Sequence, residues 1–279
     1  MNRSTDELQE LRDFALAVAV RAGERTLRYF RGEYEVELKA DETPVTRADR
    51  EAEELIRESI AAAYPADAVL GEELGYAAGT SGRTWVIDPI DGTKSFVAGV
   101  PLYAVLIALV EGDYRKGPLP GSAVRVGVIH VPALEESVAA ARGLGAAWHR
   151  GGGPGDEPRV GMQPAKVSDV REPSRARVTT SDFADLHRRE PVLAGWLDQT
   201  SPYGRTWGDA YGYLLVATGR MEAMIDPVIS PWDIAPMPVI IEEAGGRYTD
   251  LAGEPALGTS GIATNGRLHQ AFLEARDHG

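Results

Sequence analysis

The segment Trp85-Val86-Ile87-Asp88-Pro89-Ile90-Asp91-Gly92-Thr93 ends an apolar run in a carboxylate, and a second carboxylate, a glycine and a hydroxyl follow it. Two acids so close in sequence resist ionising together unless a cation or another neighbour neutralises them. The apolar run reads as a strand, and a sheet fixes the position of what lies at a strand's end. Asp88 is placed at that end and Asp91 in the following turn. Gly92 and Thr93 open a short helix over 94–97, and N–H groups at such an opening favour an anion such as phosphate. The segment thus offers carboxylates to a hard cation and amides to a phosphate. The plainer alternative makes both aspartates turn and cap residues, a common use of Asp.

Further acids could join them. Glu72, in Gly71-Glu72-Glu73, would end the strand preceding that of Asp88, so that the two carboxylates converge at one sheet edge; two solvated glutamates are the alternative. Ser230-Pro231-Trp232-Asp233 is a strong helix start, with Ser at N-cap and Pro at N1. Asp233 either caps that helix or ligates a metal from its N-terminus. Pro236 and Pro238 inside the same helix each remove a backbone donor and predict a distorted first turn. Asp49 lies in the first turn of another helix, where the dipole alone accounts for an acid at roughly 0.3–1 kcal/mol. His130, His149, His187, His269 and His278 lack metal-ligand spacing and read as surface or strand-end residues. No serine sits in a nucleophile elbow. Oxygen donors without His or Cys select Mg2+, Mn2+ or Ca2+.

Charge narrows the partners. The formal net charge is −13 over 279 residues, which argues against nucleic acid, whose phosphates need a basic surface. An acidic protein accepts a phosphate ester only if a bound cation reverses the local sign. The absence of cysteine removes disulfides, zinc–thiolate sites and thiol nucleophiles together. No signal core opens the sequence, and no apolar run approaches the ~20 residues that cross a bilayer. A cytoplasmic protein without a membrane partner is expected.

The elements that would hold these acids alternate along the chain. Ser4-x-x-Glu7 has the capping-box pattern before apolar residues at helical spacing from Leu8 to Ala22. Tyr34, Val36 and Leu38 alternate as a strand. After a turn at Pro44 a second amphipathic helix carries Ala48, Ala52, Leu55, Ile56 and Ile60, and Pro65 closes it. Short apolar runs at 68–70, 85–87, 104–110, 124–130 and 138–141 read as strands. Residues 143–174 are rich in Gly and Pro, with a plain turn at 151–153. The second half alternates again: strands at 175–180, near Arg205, and at 222–225, 247–249 and 262–264, with helices at 183–197, 209–218 and 232–244. Such alternation implies layered α and β structure, an α+β sandwich. The division falls between halves 1–143 and 144–279.

Residues 85–96, WVIDPIDGTKSF, together with 232–246, WDIAPMPVIIEEAGG, resemble the inositol monophosphatase superfamily of Mg2+-dependent phosphatases. Gly71-Glu72-Glu73 and Val45-Thr46-Arg47-Ala48-Asp49 fall in the expected order before them. Thr179-Thr180-Ser181, Trp207-Gly208-Asp209-Ala210-Tyr211-Gly212-Tyr213 and Asp91-Gly92-Thr93-Lys94 are most similar to its histidinol-phosphate phosphatases. Inositol-specific members tend to carry Thr after Asp-Gly-Thr, and Gly-Thr-Ala or Gly-Ser-Ala at 208–210. The insertion at 112–123 and Pro236 depart from the usual pattern; the second could shift Asp233.

The resemblance implies a layered α-β-α-β-α sandwich, a frequent homodimer, and hydrolysis of a small phosphate monoester without a phosphoenzyme. It implies that Glu72, Asp88, Asp91, Asp233 and the Ile90 carbonyl bind two or three Mg2+, with Mn2+ as a substitute. Asp49, Thr93 and Glu72 would orient the attacking water, and the N–H groups of Gly92 and Thr93 would hold the phosphate. A cationic histidinol needs acids, and Asp209 and Asp226 are the candidates. Asp226 matches an acid that contacts substrate hydroxyls in inositol-specific members. The alternatives are an inositol-1-phosphate phosphatase, a promiscuous sugar-phosphate or nucleotide phosphatase and, outside the class, a non-catalytic acidic metal-binding protein.

Overall fold

Apolar residues at helical and at alternating spacing form the expected elements in a computed structural model, which describes residues 3–32, 36–38, 44–113, 119–150, 162–201 and 203–278. The turn expected at 151–153, the strand residue Tyr34 and residues 114–118 of the insertion lie outside them. In chain order the first half contains α1 (Arg3–Leu27), β1 (Val36–Leu38), β2 (Pro44–Thr46), α2 (Arg47–Ala63), β3 (Ala68–Gly71), β4 (Gly75–Ala77) and β5 (Arg83–Asp91). It continues through α3 (Thr93–Val97), β6 (Ala104–Glu111), β7 (Val124–Val131), β8 (Glu136–Ala141), β9 (Ala146–Arg150) and β10 (Gln163–Pro164). The second half has β11 (Arg177–Thr179), α4 (Phe183–Arg189), α5 (Pro191–Thr200), β12 (Tyr203–Arg205), α6 (Ala210–Ala217) and β13 (Ala223–Asp226). It closes with α7 (Pro231–Ile234), α8 (Met237–Glu243), β14 (Arg247–Thr249), β15 (Gly261–Thr264) and α9 (His269–His278).

Two sheets carry the architecture. The larger runs β10-β9-β8-β7-β6-β5-β3-β4 and the smaller β12-β11-β13-β15-β14, with β1 and β2 a separate hairpin. Alternation along β5 and β6 sorts side chains to two faces. Trp85, Ile87, Val105, Ile107 and Leu109 pack under Leu11, Leu16, Ile56 and Ile60 of α1 and α2. Val86, Leu106, Ala108 and Val138 face Leu214, Val239 and Ile240 of α6 and α8, and Met224, Tyr248 and Ala263 of the smaller sheet join the same core. The far face of that sheet, with Val178, Ile225 and Ile262, is covered by Leu193 and Leu197 of α5 and Phe272 of α9. The layers therefore run helix, sheet, helix, sheet, helix. Burial of each such large side chain contributes about 1.5–3 kcal/mol.

Several elements differ from the sequence reading. α1 is already helical at Arg3, so Ser4 lies within the helix and is not its N-cap. Pro44 opens β2 in place of a turn. β9 and β10 extend the larger sheet beyond residue 143, because Ala146–Arg150 pairs antiparallel with β8. The helix expected over 183–197 breaks at Glu190, since Pro191 cannot donate to a preceding turn and disfavours helix before it. The helix expected over 232–244 likewise splits at Pro236 into α7 and α8. α9 and β4 had no clear sequence signal. His130 and His269 are buried rather than superficial.

Candidate active site

Pro89 has no N–H to give a sheet, and the pairing of β5 with β6 slips there: Asp88 stands opposite Leu106, but Asp91 opposite Ala104. Residues three apart on a regular strand face opposite ways. The extra residue cancels that, so Asp88 and Asp91 both pair with residues of the α6/α8 face. Asp88 therefore sits inside a bulged strand, not at its end, and Asp91 is the strand's last residue rather than a turn residue. Ile90 points away, into a cluster with Ala48, Phe96 and Tyr103.

β3 runs parallel to β5 with Gly71 level with Ile87, and the Glu72 N–H donates to the Ile87 carbonyl at 3.3 Å. Glu72 is thereby the first residue past β3. Asp233 arrives from the first turn of α7, where Ser230 and Asp233 form a reciprocal capping box. Capping and approach to the cluster are both realised: the Ser230 N–H donates to Asp233 Oδ2 at 3.2 Å, while carboxylate oxygens of Asp88, Asp91 and Asp233 lie within 4.8 Å of one another. Pro236 leaves that convergence intact.

Burial and mutual repulsion dominate the electrostatics. Asp88 is driven well above the usual carboxylate range by burial, then by Glu72, Asp233 and Asp91. Asp91 is raised by burial, Asp209 and Asp233, against the opposing hydrogen bond from the Ala210 N–H at 2.6 Å. Asp233 is pushed up to about 7, mainly by burial, with Glu72 adding to it. Glu72 thus acts on Asp88 and Asp233 as a further charge. Two buried acids and a half-buried third, their proton affinities raised by burial and by neighbouring carboxylates, with only oxygen donors, fit a hard divalent cation.

The remaining expected residues surround the trio. Asp49 is buried in the first turn of α2, and its neighbour Ala48 packs on Ile90. The Thr93 hydroxyl donates to the Ile90 carbonyl at 3.1 Å. Gly92 precedes α3 in a left-handed conformation, φ 79° and ψ 43°, which glycine adopts without strain.

From the second half, Asp226 ends β13 and accepts from the Ser181 hydroxyl at 2.7 Å and the Tyr213 hydroxyl at 2.9 Å. Burial still raises it to about 6. Asp209 occupies the N-cap position of α6 without a side-chain capping bond, which leaves its carboxylate for other partners. Its backbone is strained, φ 52° and ψ −155°, a region nearly reserved for glycine. Its N–H donates to Ser181 Oγ at 3.1 Å, and its carboxylate rests over Gly92, where an added Cβ would lie 2.8 Å from Oδ2. A cavity of about 130 Å3 is lined by Asp91, Ser181, Asp209, Tyr213, Asp226 and Asp233 among others. Two larger hollows, near His187 and between α1 and α2, contain none of these acids. Ser181 and Tyr213, which fix Asp226, had no individual sequence signal.

A profile of the inositol monophosphatase family matches residues 7–278. The chain belongs to the inositol monophosphatase family. It is a phosphatase. It is 40% identical over 272 residues to a histidinol-phosphatase of Chlorobaculum parvum, covering 95% of this chain and 96% of that protein. It is 38% identical over 275 residues to a histidinol-phosphatase of Mycobacterium tuberculosis, covering 93% and 95%. The solved inositol monophosphatase of Thermotoga maritima superposes with a TM-score of 0.80 at 28% identity, covering 95% of this chain and 96% of that one. None of the described helices is long and apolar enough to cross a membrane.

Proposed function

We propose that this phosphatase hydrolyses L-histidinol phosphate to L-histidinol and phosphate, as a cytoplasmic homodimer. The observation that carries the reading is the second acid pair. Asp209 and Asp226 line one cavity with Asp91 and Asp233 of the trio, and a sugar phosphate without an amine has no positive charge to offer them. Histidinol brings an ammonium and an imidazole. The identity of 38–40% to two relatives bearing that activity's name supports the same reading.

In this reading Glu72, Asp88, Asp91 and Asp233, with the Ile90 carbonyl, hold two or three Mg2+, or Mn2+ in its place. Held by these residues, the cations would supply positive charge to the carboxylates and phosphoryl oxygens and lower the pKa of a nearby water. Asp49 and Glu72 accept hydrogen bonds from the attacking water, and Thr93, anchored on Ile90, orients it. The N–H groups of Gly92 and Thr93 hold the phosphate. Water attacks phosphorus in line as the ester oxygen departs, and no side chain forms a bond to phosphorus. Asp209 and Asp226 fix the cationic end of the substrate. Residues 1–143 carry most metal ligands, with β9 and β10 completing their sheet, and 144–279 the last ligand and the recognition acids.

The test is kcat/KM for histidinol phosphate, inositol 1-phosphate and fructose 1,6-bisphosphate, with Mg2+ present and absent. We expect Mg2+-dependent turnover with histidinol phosphate preferred at least about tenfold, the low end of the discrimination that even a small difference in one substrate group gives. Preference for either other ester would move the substrate. Absence of any phosphate release would leave a metal-binding protein without catalysis.

A further inference from the structure

Glu53 lies one turn after Asp49 on α2, on the same face, and its side chain is fully buried. An ionised carboxylate inside a protein is costly unless it is paired and hydrogen-bonded. Glu53 is both. Arg57 Nε donates to Oε1 at 2.7 Å, the Leu74 N–H donates to the same oxygen at 3.0 Å, and the Glu73 N–H donates to Oε2 at 2.8 Å. Arg57 also donates to the Gly75 carbonyl. The room for this carboxylate comes from Gly71, where any Cβ would collide with Glu53 Oε1.

We propose that Glu53 is a positioning residue for Glu72, and through it for the metal site. The inference rests on the phosphatase reading above. The turn after β3 is gripped from two sides. β5 holds the Glu72 N–H through Ile87, and α2 holds the next two N–H groups through Glu53. A turn of this kind has few apolar contacts of its own, since Glu73 is half-buried and Leu74 exposed. The direction in which Glu72 leaves the strand is therefore set by β5 on one side and by the buried Glu53 carboxylate on the other. Because Asp49 and Glu53 share one helix face, the same rigid helix sets the residue proposed to orient water and the residue that anchors Glu72.

The experiment measures Mg2+ binding by isothermal titration calorimetry, and kcat and KM separately at saturating Mg2+, for wild type, Glu53→Gln and Arg57→Gln. Gln keeps the shape but turns one acceptor into a donor facing N–H groups. We expect Mg2+ affinity and kcat of Glu53→Gln to fall about 10- to 100-fold, the usual effect of losing a ligand's supporting partner, with KM within about twofold. Arg57→Gln, which leaves the carboxylate but removes its ion partner, should show the same pattern at about a third of that size or less. Unchanged Mg2+ affinity and kcat in folded Glu53→Gln, with only a lower Tm, would overturn the proposal. So would a change confined to KM. Failure of both variants to fold would assign Glu53 to the fold alone and overturn it too. Wild type that binds no Mg2+ would instead overturn the metal-dependent reading of the site on which the proposal rests.

Discussion

At the scale of single residues, the trio stores repulsion that one substitution relieves. Asp91→Asn removes a charge that burial, Asp209 and Asp233 all disfavour, while the amide oxygen can still accept from Ala210. Turnover should fall by at least about 100-fold, as expected for a lost metal ligand, yet the metal-free Tm should stay level or rise. Measuring kcat and scanning calorimetry on one preparation checks both halves; a wild-type rate would remove Asp91 from the site. Asp209→Ala should raise KM for histidinol phosphate about tenfold or more, as expected for a lost partner of a charged group, while KM for a neutral sugar phosphate stays within about twofold. Equal changes would deny amine recognition. Asp88, Asp91 and Asp233 are legible in the sequence because local motifs, a strand end and a helix start, already contain them. Ser181, Tyr213 and Glu53 are not, because each earns its partner only after distant elements meet.

At the scale of elements, the position of Asp233 depends on where the α7–α8 junction rests. That junction lies on a glycine in the middle of β7: a Cβ at Gly127 would stand 2.6 Å from the Pro236 carbonyl oxygen and 2.7 Å from Val239. Gly127→Ala should cost about 1–3 kcal/mol through overpacking. It should also weaken Mg2+ binding, because the displaced backbone begins three residues after Asp233, a proposed ligand. Urea melts paired with Mg2+ titration test this; a stability loss with unchanged Mg2+ affinity would separate the junction from the site. The elements were readable wherever periodicity was long, as in α2 and in β5 to β7. They were missed where one proline decides, at Pro89 and Pro191, and where a short alternating run, 146–150, lay inside a Gly- and Pro-rich stretch; at Pro236 the expected distortion of the first turn goes as far as a full break. The bulge at Pro89 matters most, for it alone brings two acids three apart to one face.

At the scale of the molecule, stability should respond to pH from both directions. Burial holds His130, hydrogen-bonded to Ser137, at about 4, below the usual 6.5. A depressed histidine gives stability that is complete above about 6.5 and is lost as pH falls through 4, up to about 3 kcal/mol. His269 is held at about 4 by burial as well, so His130→Gln should shrink that acid limb in urea melts without abolishing it; an unchanged limb would exclude His130 as a source. The carboxylate trio works oppositely. Its raised proton affinity stabilises the metal-free fold below the ordinary carboxylate range and is lost as pH rises through about 7 for Asp233. The Tm gain on adding saturating Mg2+ should therefore be larger near about pH 8 than near about pH 5.5, since cations replace the missing protons. A pH-independent gain would contradict it. The order of the ligands along the chain has one more consequence, which concerns synthesis. Asp91 and Asp233 are separated by 142 residues. At translation speeds of ~5–20 residues per second, a nascent chain carries Glu72, Asp88 and Asp91 for roughly 7–30 s before their last partner exists. The growing polypeptide then carries an incomplete set of these acids, its first sheet assembling around unbalanced charge, and the ribosome sets when the four can meet.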